Sequence, residues 1–364
     1  MGHLWSPQQD RALVEIAAWL KKGRPQIFRL FGYAGTGKTT LARHIAEAID
    51  GDVVFAAYTG KAALVLRSKG CADARTIHSL IYRPQDSESE VPSFVLNEQS
   101  PANTASLIII DECSMVDEDL GRDLLSFGRP ILVLGDPAQL PPVKGGGFFT
   151  EAEPDFMLTE VHRQAADNPI VRMSMIVREG GRLDRGTYGE SSVIGRDEIE
   201  AATVTRADQV LVGLNRTRRL YNKRLRELFG FSGTLPEAGD KLVCLKNDRK
   251  KGLLNGGIWT VKQLAPARAG KLRMSLVPEE DAARKPLRVR VLPAFFESEE
   301  EIPYALRRDS DEFDFGYALT VHKAQGSQWN DMVLFDESFA FREHRSRWLY
   351  TGITRAAERI TIVT

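Results

Sequence analysis

The sequence predicts an α/β protein with two domains, each a parallel sheet flanked by helices, and with a small β-rich insert in the second. Three observations predict it. Short apolar runs alternate with helix-like patterns over residues 1–160, the same alternation returns toward the end of the chain, and between them lie short strand-like pieces. A chain of 364 residues is also long enough for two or three domains.

The strands expected in the first domain, residues 1–160, are apolar on both sides, as a sheet covered on both faces requires. They are Ile27–Phe31, Val53–Ala57, Leu107–Ile110, Ile131–Leu134 and Phe156–Leu158. A polar segment, 83–104, interrupts the alternation and contains one apolar island, 94–96. Because long structureless segments are uncommon inside compact domains, we expect either a functional surface loop or a small projecting hairpin there.

A second α/β domain is expected over 161–234 and 309–364, interrupted by the β-rich, barrel-like insert 235–308. Its own elements are a strand at 209–214, a basic helix at 217–229, a strand at 332–335, a helix at 347–359 and a strand at 360–363. The insert contains four strand-like pieces separated by Gly, Pro and charged clusters, at 241–245, 258–264, 272–277 and 287–292.

The composition narrows the class of protein. Hydrophobic residues make up 43% and charged residues 27%, the profile of a globular protein with a substantial core. No apolar run approaches the roughly 20 residues of a membrane span, so we expect no membrane partner. Three widely spaced cysteines favour reduced thiols in a cytoplasmic protein. Since the net charge is zero, any nucleic-acid surface must be confined to a cleft.

Residues 32–39, Gly-Tyr-Ala-Gly-Thr-Gly-Lys-Thr, match the phosphate-binding pattern G-x-x-x-x-G-K-[ST] between a predicted strand and a predicted helix. In such a loop, glycines let backbone N–H groups surround the phosphates of ATP, and the helix N-terminus adds positive charge. Lys38 would reach the β- and γ-phosphates, and the Thr39 hydroxyl would bind Mg²⁺. The residues expected at the nucleotide are Gly32, Gly35, Thr36, Gly37, Lys38, Thr39 and Thr40.

Polar side chains also follow the next two predicted strands. Asp111 and Glu112 come directly after the strand 107–110, at the edge where parallel sheets bind ligands. Asp111 can hold Mg²⁺ there, and Glu112 can orient or deprotonate the attacking water. Gln139, in the run 135–142, can hydrogen-bond the γ-phosphate or that water. Lys38, Glu112 and Gln139 are therefore candidate catalytic residues.

In this order, these motifs resemble the superfamily 1 helicases, most closely the RecD/Dda type that moves 5′ to 3′. Further matching segments are 59–63, 75–78, 162–164, 317–327 and 350–356. The resemblance implies two RecA-like domains with ATP between them and Gln9 at the adenine edge. It also implies that Arg163 and Arg355 act as arginine fingers. Gln328 stands where the family has Glu, so contact with the ribose is expected to be altered rather than lost.

The resemblance also implies a track for single-stranded DNA along short polar side chains, namely Thr59, Thr76, His78, Thr320 and His322. Taken singly, each is more often a helix cap or a core hydrogen-bonding group. Phe94, in the 83–104 segment, is the candidate to stack on the last base pair at a fork; the other reading is that it packs the segment onto its domain. The charges of the basic helix fall on several faces, which favours a solvated helix over a DNA patch.

These features predict an ATP-dependent DNA helicase that acts 5′ to 3′ on single-stranded DNA and forked duplex, as a monomer. Three alternatives are a single-strand translocase that displaces proteins, a motor that works on RNA, and a nucleotide-gated binding module. The hydrolytic residues Glu112, Gln139, Arg163 and Arg355 argue against the binding module, because a switch does not need them.

Overall fold

The computed structural model describes residues 5–85, 93–141, 147–160, 167–248, 250–279, 283–298 and 300–364. They form two compact units. The first comprises the described residues of 1–87, 92–183 and 343–354, and the second those of 184–342 and 355–364. The two α/β units confirm the predicted fold class.

The first unit is built on a parallel sheet of six strands in the order β3-β2-β6-β7-β1-β8. Its strands and hairpin, in chain order, are β1 (Ile27–Gly32), β2 (Val53–Ala57), β3 (Arg75–Thr76), β4 (Tyr82–Gln85), β5 (Ser93–Leu96), β6 (Leu107–Asp111), β7 (Ile131–Gly135) and β8 (Phe156–Leu158). The helices up to residue 183 are α1 (Pro7–Lys22), α2 (Lys38–Glu47), α3 (Gly60–Ser68), α4 (Ile77–Ile81), α5 (Glu118–Leu125) and α6 (Pro169–Arg178).

Both faces of this sheet are buried, which explains why its strands read as continuous apolar runs. In β6, Leu107 and Ile109 pack into the core on one face, whereas Ile108 and Ile110 pack into the core on the other. Successive side chains of a strand point to opposite faces, so one strand supplies both cores. Among the strands that the structure describes, β4 and β5 pair only with each other, as an antiparallel hairpin, so the polar segment does form a hairpin insert.

The second unit contains a six-stranded sheet in the order β17-β11-β18-β19-β10-β9 and a five-stranded antiparallel sheet in the order β15-β14-β13-β12-β16. The strands are β9 (Gly186–Tyr188), β10 (Ser191–Ile194), β11 (Gln209–Val212), β12 (Lys241–Cys244), β13 (Ile258–Arg268), β14 (Lys271–Pro278), β15 (Leu287–Val291), β16 (Phe313–Phe315), β17 (Ala318–Thr320), β18 (Trp329–Phe335) and β19 (Ala356–Val363). The remaining helices are α7 (Ala201–Arg206), α8 (Asn215–Leu228), α9 (Ala294–Glu297), α10 (Tyr304–Arg307) and α11 (Arg345–Ile353). In the six-stranded sheet, only the β9–β10 pair is antiparallel.

The structure departs from the predicted organisation in several places. The antiparallel insert sheet extends to β16, because β16 pairs with β12, so it ends later than predicted. The predicted helix 347–359 is too long: α11 ends at Ile353, and Ala356 already pairs with Trp329 as the start of β19. Helices α6 and α11 pack on each other and belong to the first compact unit rather than the second.

Two further findings concern the composition. All three cysteines are free and buried, and burial raises the pKa of the Cys244 thiol to about 12. Over the ranges that the structure describes, every helix is too short or too polar to cross a membrane.

Candidate functional site

The loop between β1 and α2 has the backbone shape that phosphate binding requires. Gly35 and Gly37 have φ angles of 79° and 81°, a region that side chains disfavour. A Cβ atom on Gly32 would lie 2.7 Å from Thr36 Oγ1 and 2.8 Å from Leu158 Cβ, so only glycine fits there. Helix α2 begins at Lys38, directly after Gly37, so its free N–H groups face the loop.

The side chains expected at phosphate and metal lie close together in this loop. Lys38 Nζ donates to the carbonyl oxygens of Gly32 at 2.6 Å and Tyr33 at 3.0 Å. The Thr39 hydroxyl donates to Asp111 Oδ2 at 3.1 Å, so β6 brings its carboxylate to the first turn of α2. Thr40 is half-buried in the same turn. A hydroxyl and a carboxylate oxygen are ligands that Mg²⁺ prefers, so these two residues fit the ion.

The adjacent residues Asp111 and Glu112 each have an unusual property: the pKa of the Asp111 carboxyl is raised, and the backbone of Glu112 is left-handed. Burial raises the pKa of the Asp111 carboxyl, the negative charge of Glu112 adds to this, and the N–H of Glu112 opposes it by donating to Asp111 Oδ1 at 2.9 Å. The backbone of Glu112 is left-handed, with φ 53° and ψ 47°, which is uncommon for a residue other than glycine. Strained backbone of this kind is typical of functional sites.

Gln139 lies in the loop after β7 and is 8% exposed. Its backbone N–H donates to the Asp136 carbonyl at 3.1 Å. Its side-chain oxygen, Oε1, is buried and has no hydrogen-bond partner among the residues that the structure describes. Buried polar atoms are nearly always paired, so a buried amide oxygen without a protein partner is typical of a group that bonds a ligand or water.

Helix α11 fixes this loop to the phosphate loop within the first unit. Tyr350 Oη donates to Asp136 Oδ2 at 2.6 Å and accepts from the Ala34 N–H at 3.0 Å. The Thr351 hydroxyl accepts from the Leu140 N–H at 2.9 Å. The Tyr350–Asp136 pair could not be predicted from the sequence, because the two residues lie far apart in the chain and belong to separate motifs.

Gln9 is buried at the start of α1, where its side chain joins two elements. Its Oε1 accepts from the Ser6 N–H at 3.0 Å, which completes the helix N-cap, and its Nε2 donates to the Thr36 carbonyl at 3.0 Å. Gln9 thus touches the phosphate loop, and its contact with adenine stays a prediction.

The structure describes Arg355, one of the two predicted arginine fingers, and Gln328, the predicted ribose contact. Arg163 lies outside the described residues. Arg355 is 4% exposed in the second unit, where its Nη1 lies 3.5 Å from the Ser327 carbonyl oxygen. Gln328 is exposed nearby in the sequence. Contacts of Arg355 and Gln328 with ATP stay predictions.

The residues of the first unit that are predicted to contact single-stranded DNA lie at the starts of helices. Thr59 caps α3 by accepting from the Ala62 N–H at 3.1 Å, and Thr76 caps α4 by accepting from the Ser79 N–H at 3.2 Å. His78 is exposed, with its ring 6.0 Å from that of Tyr58. The capping role of the two threonines is therefore present in the structure, and a DNA role for these three residues stays a prediction.

The remaining predicted contacts lie at the end of β17 and on the hairpin. Thr320 ends β17 and accepts from the Lys323 N–H at 3.3 Å, and the His322 ring lies 5.4 Å from the Phe341 ring. Phe94, on β5, is 62% exposed, whereas Leu96 packs against the core of the first unit. A wedge requires an exposed ring, whereas a side chain that packs the hairpin onto its domain would be buried.

The basic helix α8, predicted to be solvated, has one polar face that is buried. Arg218, Asn222 and Arg226 recur every four residues and are each no more than 5% exposed. The Asn222 amide pairs with Ala318, accepting from its N–H at 2.9 Å and donating to its carbonyl at 3.1 Å. The four-residue spacing was the available signal. One face of α8 therefore positions β17 instead of facing solvent.

Together, the glycine loop, Lys38, and the Thr39–Asp111 pair on a parallel sheet define a P-loop nucleotide-binding protein. A model of the AAA domain family matches residues 5–196, more than half of the chain, and a model of the UvrD-like helicase C-terminal domain matches residues 315–363. The chain belongs to this AAA domain family. Its similarity to the RecD2 and dda helicases, given next, confirms the resemblance found in the sequence.

Known relatives are similar in sequence but longer. The ATP-dependent RecD2 DNA helicase of Deinococcus radiodurans is 30% identical over an alignment of 363 residues, gaps included. The alignment covers 91% of this chain and 46% of that protein. The ATP-dependent DNA helicase dda of enterobacteria phage T4 is 36% identical over 166 residues, 41% of this chain and 37% of that protein. The chain thus spans less than half the length of these relatives.

Solved structures share the fold across the whole chain. A structure of two coordinating Pif1 helicases at forked double-stranded DNA has a TM-score of 0.62 and 16% identity, covering 99% of this chain and 92% of that one. The Pif1 helicase from Candida albicans has a TM-score of 0.58 and 17% identity, covering 100% and 95%.

Proposed function

We propose that the chain is an ATP-dependent DNA helicase that moves 5′ to 3′ along single-stranded DNA and unwinds duplex. The observation that carries the proposal is the arrangement at one sheet edge of Lys38, the Thr39–Asp111 pair, Glu112 and the amide oxygen of Gln139, which has no partner within the described ranges. This set supplies groups for phosphate binding, metal binding and activation of the attacking water. The names of the relatives RecD2 and dda, both ATP-dependent DNA helicases, support the same activity.

Each residue has a distinct part in hydrolysis under this proposal. Lys38 leaves the carbonyls of Gly32 and Tyr33 and pairs with the β- and γ-phosphates of ATP. Thr39 and Asp111 would hold Mg²⁺, which when bound would neutralise charge on the phosphates. Glu112 accepts a proton from the attacking water, and Gln139 orients that water or the γ-phosphate.

For hydrolysis to drive movement, a change at the γ-phosphate must shift other parts of the protein. Gln139 shares its loop with Asp136 and Leu140, which are bonded to Tyr350 and Thr351 of α11. A change at the γ-phosphate that shifts Gln139 therefore acts directly on α11. Arg355 follows α11 by two residues, so the proposed finger is close in the chain to this linkage. A monomer that acts in the cytoplasm is part of the same proposal.

A translocase that displaces proteins without much unwinding is the second candidate. The exposed Phe94 on the β4–β5 hairpin favours unwinding over it, because translocation on a single strand needs no group that meets the duplex.

The proposal is tested by measuring ATP hydrolysis and strand separation on duplexes with a 5′ tail, a 3′ tail or blunt ends. We expect single-stranded DNA to stimulate hydrolysis more than RNA, and unwinding to require the 5′ tail. Glu112→Gln is the matched control, since it should remove both activities without loss of ATP binding. Unwinding from the 3′ tail alone would contradict the polarity, and no DNA-stimulated hydrolysis would contradict the motor.

A further inference from the structure

The turn that follows β18, residues 336–341, is anchored by a buried carboxylate. Glu337 is 6% exposed, and its Oε2 accepts from the N–H groups of Gly213 at 2.7 Å and Leu214 at 3.0 Å. Its Oε1 accepts from the Thr217 hydroxyl at 2.6 Å. These bonds tie the turn to the start of α8. The turn therefore has a fixed place at the sheet edge where the parallel strands β11, β17 and β18 all end.

Phe341 packs inward from this turn, toward the end of β17. Its ring lies 5.4 Å from that of His322, and a Cβ atom on Gly213 would lie 2.9 Å from Phe341 Cε2. Since His322 follows Thr320 at the end of β17, the turn and these two candidate DNA residues share one surface of the second unit.

Phe339 lies in the same turn but has the opposite environment, since it is 62% exposed. The backbone on both sides of it is fixed: the Ser338 N–H donates to Asp336 Oδ1 at 2.8 Å, and the Ala340 N–H donates to the Glu337 carbonyl at 3.0 Å. An ordered turn thus displays a large aromatic ring to water. Single exposed apolar side chains are common on protein surfaces, so exposure alone does not indicate a ligand. The fixed backbone, however, holds this ring in a position where it can stack on one.

Two arginines are linked to this turn: Arg342 lies three residues after Phe339, and Arg216 precedes Thr217, which bonds Glu337. Arg342 and Arg216, which lies in the first turn of α8, are both exposed. Arg342 has a φ of 41°, a strained conformation for a residue with a side chain, and such strain clusters at functional sites. Aromatic rings that stack on bases, beside arginines that hold phosphates, are how proteins bind single-stranded nucleic acid without reading its sequence.

The geometry points to Phe339 as a base-stacking residue, which holds one base of single-stranded DNA against the second unit beside Thr320 and His322. The inference rests on the proposed function and extends it: Thr320 and His322 contact the phosphate backbone of the DNA, and the ring of Phe339 stacks on a base. Stacking on a single aromatic ring is indifferent to which base is bound, as a motor that moves along any sequence requires.

The test is fluorescence anisotropy of the full chain with an oligo-dT strand and with an abasic strand of equal length. Phe339→Ala should weaken binding of oligo-dT about tenfold, or ~1.4 kcal/mol, and leave binding of the abasic strand unchanged. Phe339→Trp should retain the affinity for oligo-dT. The dependence of the binding constant on salt should not change in Phe339→Ala, because no charge is removed.

Leu306→Ala is the matched control, since Leu306 is also 62% exposed and lies in α10, on the insert. It should leave both affinities unchanged. Equal affinity of Phe339→Ala and the wild type for oligo-dT would overturn the inference, and so would an equal loss on both strands. Failure of the wild type to bind single-stranded DNA would overturn the proposed function together with the inference. Wild-type binding with no effect of Phe339→Ala would overturn the inference alone.

Discussion

The hydroxyl of Tyr350 joins Asp136, in the loop after β7, to Ala34, in the phosphate loop. It donates to Asp136 Oδ2 at 2.6 Å and accepts from the Ala34 N–H at 3.0 Å. The side chains of Tyr350 and Asp136 are both buried. Burial raises the pKa of the Asp136 carboxyl, and the bond from Tyr350 and the charge of Lys38 oppose that shift by favouring the carboxylate. One hydroxyl therefore sets the distance between the loop that carries Gln139 and the loop that carries Lys38.

Replacing Tyr350 by Phe should both destabilise the protein and slow hydrolysis. The change leaves the Asp136 carboxylate without its phenol donor, which should lower the free energy of unfolding by about 1–3 kcal/mol. It should also lower turnover at saturating ATP, because the two loops lose their common anchor. Urea unfolding and ATPase assays with single-stranded DNA measure the two effects.

Tyr188→Phe is the control for this prediction. The Tyr188 hydroxyl donates to the Asp184 carbonyl at 3.0 Å in an exposed setting, so its removal should change stability by less than about 0.5 kcal/mol. If Tyr350→Phe matched the wild type in stability and turnover, the hydroxyl would not position either loop.

Lys38→Ala and Glu112→Gln should both abolish hydrolysis, but for different reasons. Lys38→Ala removes the charge that pairs with the phosphates, so ATP binding should weaken as well. Glu112→Gln keeps the size of the side chain and removes only its basicity, so ATP should bind with wild-type affinity. Binding of a fluorescent ATP analogue separates the two. Near wild-type turnover in Glu112→Gln would mean that another group activates the water.

Arg355→Ala should lower turnover by orders of magnitude, with a smaller effect on ATP affinity, because a finger acts mainly on the transition state. Arg355 is buried near the Ser327 carbonyl, so unfolding must be measured beside turnover. Arg206→Ala removes an exposed arginine that pairs with Asp331 and should leave turnover unchanged. Arg163→Ala should act as Arg355→Ala does. Weaker ATP binding with full turnover at saturation would contradict a finger role.

Asn222→Leu should destabilise the second unit. Asn222 bonds both the N–H and the carbonyl of Ala318, and leucine of similar size leaves both backbone groups buried without partners. The expected loss is about 2–3 kcal/mol of unfolding free energy, measured with urea. Arg216→Ala, on the exposed side of α8, should cost less than about 0.5 kcal/mol. A loss of the same size in both variants would contradict a positioning role for the buried face.

Local patterns explain what could be predicted from the sequence. The strand β6 was predictable because its alternate residues fill two cores, which makes the whole run apolar. The phosphate loop was predictable because glycine conformations and a helix start impose a fixed short pattern. The four-residue spacing marks the face of α8 that carries Asn222, but neither the Asn222–Ala318 pair nor the Tyr350–Asp136 bond leaves a pattern that identifies both partners. Each joins residues distant in the chain, and the packing that brings them together is a property of the whole unit.

The hairpin offers the sharpest division between a structural and a functional side chain. Tyr82 and Leu96 are opposite each other at its base, where Leu96 packs on the core and the Tyr82 hydroxyl donates to Asp123 at 2.5 Å. Phe94 lies two residues before Leu96 on β5, and it is 62% exposed. The packing role therefore belongs to Tyr82 and Leu96, which leaves the ring of Phe94 available to meet a base pair.

Phe94→Ala should lower the rate of unwinding and keep both DNA-stimulated hydrolysis and translocation on single strands. Stacking on an aromatic ring contributes ~1–3 kcal/mol, which is comparable to the cost of opening one base-pair step, about 1.4 kcal/mol. The magnitude therefore suits a wedge at the fork. Unwinding of a 5′-tailed fork and stopped-flow translocation on oligo-dT measure the two activities separately.

Leu96→Ala supplies the contrast on the same strand. It should lower the unfolding free energy by about 1–2 kcal/mol, because it removes a partly buried side chain from the core. Hydrolysis and unwinding should then fall together as the protein loses stability. If Phe94→Ala behaved in this way instead, the ring would serve packing, and the group that parts the strands would have to be sought elsewhere on the surface.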